Sequence, residues 1–108
     1  MDLMNELLSK QKELNISVKN LRHSCSDFAE AQKNYRIALA IAEIQLRKEG
    51  VPVSIVKDLA RGEENVADLK EEMENKLGIY RANMEAINSI KTEIRIIENQ
   101  LNREFSIN

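Results

Sequence analysis

Tryptophan is missing from this 108-residue chain, which carries one cysteine, one proline, three glycines, two tyrosines and two phenylalanines. Each scarcity excludes something. A lone cysteine cannot form an internal disulfide, so Cys25, which falls on an apolar stripe, is expected to act as a small buried hydrophobe in a reducing cytoplasm. No run approaches the roughly 18 consecutive apolar residues of a membrane span. Asp2 and Glu6 interrupt the place where a secretory signal would need an apolar core. Aromatics make up only 4% and charged residues 31%, the balance of long helices rather than of a layered α/β enzyme. A net charge of -2 argues against a dedicated nucleic-acid binder, whose phosphate contacts need clustered Lys and Arg.

With so few breakers the chain can sustain a long repeat, and it does. Leu7, Leu14, Leu21, Phe28, Tyr35 and Ala42 recur every seven residues, with Met4, Val18, Cys25, Leu39 and Leu46 at a companion position. Val66, Met73, Tyr80, Ile87, Ile94 and Leu101 form a second run. Apolar residues at alternating three- and four-residue steps line one stripe of a helix, so the pattern predicts two long helices of coiled-coil type.

The first helix is expected over about residues 2–49, a connector over about 50–62 and the second helix over about 63–105, all in one helical domain of residues 1–108. Ser24, Ser26, Asp27 and the capping-box pattern Asp27-x-x-Glu30 raise a break near His23. The repeat passes from Leu21 to Phe28 without slipping, which favours a continuous helix. Gly50-Val51-Pro52-Val53 stops it; Ser54 can cap a short connector helix ending near Arg61, with Gly62 as a left-handed terminator. Gly78 is the anomaly in the second helix, marking a close crossing, a kink or plain tolerance. Folded back antiparallel, facing residues have numbers adding to about 112 if Leu39 faces Met73, Phe28 faces Met84, Cys25 faces Ile87, Val18 faces Ile94 and Leu7 meets Phe105. The fold class is therefore an all-α, long antiparallel helical hairpin with a short connector helix. Because Ile37, Ile41 and Ile44 make a second apolar face, and because two helices enclose a thin core, assembly with itself into a dimer or larger bundle is expected.

No residues qualify as catalytic. His23 and Cys25 point in different directions on a helix, zinc needs about four ligands, and no metal or cofactor is expected. The acidic opening of the second helix, Glu63, Glu64, Asp68, Glu71, Glu72 and Glu74, is placed where the helix dipole favours it. Lys10, Lys12, Lys19, Arg22, Lys33 and Arg36 give the first helix a mild basic excess; without interleaved aromatics they read first as a solvated face and second as a nucleic-acid surface. The connector is the most functional-looking segment. Val51, Val53, Ile55 and Leu59 around Pro52, together with Val56, are candidates for a partner-binding knob, though the favoured arrangement is an internal lid over Ile37, Ile41 and Ile44. On the lid reading Leu59→Ala should cost about 2 to 5 kcal/mol.

The segments Leu46 to Val53, Asp58 to Gly62, Tyr80 to Ile87 and Ile94 to Phe105 resemble small helical proteins encoded by tailed phages and prophages of Gram-positive bacteria, over about two thirds of the chain. Where those proteins tend to close the last motif with Trp, this chain has Phe105. The resemblance implies a setting in phage DNA metabolism or host takeover, near recombination and replication functions, in the cytoplasm of an infected or lysogenic host. It supplies no catalytic residues. The expected function is a non-enzymatic module that binds a phage or host protein; the alternatives are an inhibitor of a host protein such as a defence nuclease, and an accessory nucleic-acid-binding factor in recombination.

Overall fold

A computed structural model describes residues 2–106. They form three helices, α1 (Leu3–Lys48), α2 (Val53–Arg61) and α3 (Glu64–Ser106), with no strand among the described residues. α1 packs against α3 and the short α2 lies between them in sequence, a helical hairpin. α1 passes through His23 to Glu30 without a break.

The ends of the helices follow local chemistry. Asp2 caps α1, its Oδ1 accepting from the amides of Met4 at 3.1 Å and Asn5 at 3.4 Å. At the other end Gly50 takes a left-handed φ of 87°, its amide donates to the Arg47 carbonyl at 3.0 Å, and the Val51 amide reaches the Leu46 carbonyl at 3.1 Å. That is a Schellman termination, and only glycine adopts it without strain.

Two connector expectations need correction. Pro52, not Ser54, stands before α2: its carbonyl accepts from the Ile55 amide at 3.1 Å, and Ser54 lies inside the helix. Proline's fixed φ suits that position and its missing amide costs nothing there. Gly62 is right-handed, with φ of -83° and ψ of -7°, so it does not reverse the chain as a left-handed terminator. Its amide still bonds to the Asp58 and Leu59 carbonyls, so the backbone passes into α3 almost helically. Gly78 has no atom within 4 Å of the place a Cβ would occupy, which excludes a close helix crossing there.

The chain divides into two compact units, one of Met1–His23 with Tyr80–Asn108 and one of Ser24–Ile79. In the first, two helical stretches run antiparallel. Ile87, Ile90 and Ile97 of α3 are buried there, and Leu7, Leu14, Val18 and Leu21 of α1 are half-buried. In the second, α2 adds a third wall. Val56 and Ala60 of α2 and Val66 of α3 are fully enclosed; Ala60, Val66 and Ala42 form a core bordered by Tyr35, Ala38, Leu39 and Leu46.

The seam departs from expectation in one row. The row Leu7 to Ala42 does face inward, but its buried companion on α1 is Lys10, Ser17, Ser24, Ala31 and Ala38, with Ser24 and Ala31 buried and the others half-buried. Cys25 is exposed, as is Met4, while Val18, Leu39 and Leu46 only flank the contact. Small side chains need little room at a helix–helix contact, which suits Ser17, Ser24, Ala31 and Ala38 to an inward row. On α3 the companion row is Leu69, Lys76, Asn83, Ile90 and Ile97.

The register changes with the row. In the first unit the Asn83 amide donates to the Asn20 carbonyl at 3.4 Å and Lys10 pairs with Glu93 at 2.6 Å, residues whose numbers add to 103 in both cases. This replaces the expected 112, and Phe105 is exposed rather than packed on Leu7. The two sums differ by nine, which is not a whole heptad, so the change accompanies the change of inward row and is not a slide of one repeat.

Candidate functional site

Among the described residues no three His, Cys, Asp or Glu side chains gather as a metal site. No helix is long and apolar enough to cross a membrane. His23 and Cys25 are both exposed on α1. What the surface does offer is apolar area around the turn.

α2 is amphipathic over more of its circumference than the hairpin covers. Val56 and Ala60 turn inward, one helical turn apart, and are 1% and 0% exposed. Pro52, Ile55 and Leu59 follow the same three- and four-residue spacing along a neighbouring face and remain in solvent, with Ile55 at 45% and Leu59 at 46%. Val53, on the other flank, is 72% exposed. Val51 is half-buried at the Schellman turn. Lys57, Asp58 and Arg61 supply the polar side.

The lid expectation is therefore overturned. Ile37, Ile41 and Ile44 are 48%, 61% and 54% exposed, so α2 does not cover them. The physical reason lies in the Schellman turn and Pro52, which direct α2 over the Leu39, Ala42 and Leu46 side of α1, where Ala60 joins Ala42 and Val66 in the core. On the uncovered side an open groove of 310 Å³ is lined by Ile37, Ala38, Ile41 and Ala42, with Asn34, Gln45, Glu63 and Asn65 at its rim. The five partner candidates thus separate into an exposed ridge, Pro52, Ile55 and Leu59, and two outliers, Val51 and Val53.

The basic candidates also separate. Lys10 lies on the seam, its stem covered and its ammonium held between Glu93 at 2.6 Å and Glu13 at 3.3 Å. The hydrogen bond to Glu93, then that to Glu13, raises its pKa above the ordinary 10.5. A cation engaged in this way is not offered to phosphate. Lys12, Lys19 and Arg22 are exposed on the outer face of α1 in the first unit, and Lys33 and Arg36 on its outer face in the second. In the second unit an acidic face stands on α3, where Asp68, Glu71, Glu72 and Asn75 line a shallow depression.

Sequence reasoning missed the α1 row of Ser17, Ser24, Ala31 and Ala38. Its signal was present as small residues at a strict seven-residue spacing. Comparison with protein-family models, with curated proteins and with solved structures found no match.

Proposed function

We propose that this protein is a non-enzymatic helical module that binds another protein through α2. The observation that carries the reading is the ridge of Pro52, Ile55 and Leu59, three apolar side chains left in solvent on a helix whose neighbouring face is anchored by Val56 and Ala60. Burying Val56 and Ala60 fixes α2, and a rigid helix presenting apolar anchors loses little entropy on docking in a partner's groove. The resemblance to small phage-encoded helical proteins supports an infected or lysogenic bacterial cytoplasm as the setting, with a phage or host protein as the partner. An inhibitor of a host protein such as a defence nuclease is the same mode of action with a specified target.

The accessory nucleic-acid reading rests on exposed Lys12, Lys19 and Arg22 and loses Lys10 to its carboxylate partners. Affinity co-purification from induced cells, with and without nuclease, separates the two. With Ile55→Ala and Leu59→Ala the melting curve should hold to within about 0.5 kcal/mol, since both side chains are half in solvent, while nuclease-resistant capture of the partner protein falls. Unchanged capture from the doubly substituted protein would refute the α2 ridge, and capture abolished by nuclease would move the reading to nucleic acid.

A further inference from the structure

One side of α1 in the second unit is unpartnered and has an ordered chemistry. Glu30, Asn34, Ile37, Ile41, Ile44 and Lys48 follow one another at steps of four, three, four, three and four residues, which places all six on one stripe of the helix. Every one of them is exposed. The three isoleucines are contiguous at the centre, 48%, 61% and 54% in solvent, with an acid at one end and a base at the other. Neither Glu30 nor Lys48 is ion-paired within the chain among the described residues.

We infer that this stripe is a self-complementary interface that takes the α1 stripe of a second copy of the chain in antiparallel orientation. The charges decide both the occupant and the direction. A two-fold axis crossing the stripe midway between Ile37 and Ile41 places Ile37 of one copy against Ile41 of the other, Asn34 against Ile44, and Glu30 against Lys48, each pair made twice. The central apolar contact is flanked by two opposite-charge pairs, whereas parallel pairing sets Glu30 on Glu30 and Lys48 on Lys48 and is repelled at both ends. A partner of unrelated sequence has no reason to match an acid and a base at these two spacings; a second copy matches them by symmetry. Ala38 and the groove beside Ile41 leave room for the facing isoleucines. Six isoleucine side chains make a modest contact, near the small end of specific interfaces, so a dissociation constant on the order of 10 µM is expected.

This surface is separate from the α2 ridge, and substitutions at Ile55 or Leu59 should leave it intact. Sedimentation velocity on the full chain from about 1 to about 100 µM should show a reversible monomer–dimer equilibrium. Ile41→Lys, at a position largely in solvent, should keep the helical circular dichroism and melting curve and weaken dimerisation at least about tenfold. E30K and K48E should each weaken it about threefold or more, and the double variant E30K/K48E should return to the wild-type constant because the pairs are re-formed with signs exchanged. A wild-type monomer across the range would overturn the proposal. An undiminished Ile41→Lys dimer would place the contact elsewhere, and single charge reversals without effect, or without recovery in the double variant, would refute the antiparallel register.

Discussion

The unit that contains α2 and the unit of two antiparallel stretches solve the same problem differently. Where three helices meet, the enclosed side chains are small: Ala42, Val56, Ala60 and Val66 are at most 4% exposed, and the large isoleucines of α1 are left outside. Where only two stretches meet, no α1 side chain is enclosed, and burial falls to Ile87, Ile90 and Ile97 of α3 at 5–6%. That unit also carries polar ties across the pair, Lys10 with Glu93 and Asn83 with the Asn20 carbonyl. A third wall encloses Val56, Ala60 and Val66 almost completely, whereas in the two-stretch unit the enclosed side chains are isoleucines of α3.

The largest effect should come from testing that contrast directly. Ile90→Ala removes three carbons from a site enclosed on two sides only by α1 and α3, and should cost about 2 to 5 kcal/mol in urea unfolding. Val66→Ala, in the fully enclosed core, removes two carbons and should cost roughly 2 kcal/mol. If Val66→Ala proved the more damaging, stability would reside chiefly in the three-helix core, and the isoleucines of the other unit would be secondary.

A smaller effect sharpens the role of α2. Gly50→Ala forces a side chain into the left-handed region at φ 87° and should cost about 1 to 3 kcal/mol, because the Schellman turn that aims α2 depends on it. Gly62→Ala meets only the Leu59 and Asp58 carbonyls at 3.6 and 3.7 Å, ordinary contact distances, in a right-handed conformation, and should lie within about 0.5 kcal/mol of the wild type. Thermal melting of the two variants side by side measures the difference, and equal losses would show that α2 does not depend on the turn before it.

Helix number, the stop of α1 and hairpin topology were legible because they follow from local rules: the heptads of Leu7 to Ala42 and Val66 to Leu101, Gly50 as a stop, and an apolar connector with helical spacing. The seam row and the register were not. Met4, Val18, Cys25, Leu39 and Leu46 carry more apolar bulk than Lys10, Ser17, Ser24, Ala31 and Ala38, yet close approach favours the small row, a property of two surfaces together. The direction of α2 was equally non-local, since Val53, Ile55 and Leu59 match Ile37, Ile41 and Ile44 in hydrophobicity as well as Val56 and Ala60 match Leu39 and Ala42. Of the candidate sites, the connector's apolar character was readable, but which of its side chains remain in solvent depended on that direction.

The smallest effect belongs to the polar tie of the two-stretch unit and has a definite sign. Lys10 has its pKa raised above 10.5 by its hydrogen bonds to Glu93 and Glu13, so the folded state holds the proton more tightly than the unfolded one. Its contribution is fully present below the unfolded value, near 10.5, and is lost as pH rises through the higher folded value. Neutral and mildly alkaline solutions should therefore show no change from this group. The quantity to follow is the difference between wild type and Glu93→Gln, which isolates this pair from the rest of the chain. The wild type should be slightly the more stable up to about pH 10 and the two should converge above it. Curves that stay parallel through the alkaline range would mean that the Lys10–Glu93 contact adds nothing to folding.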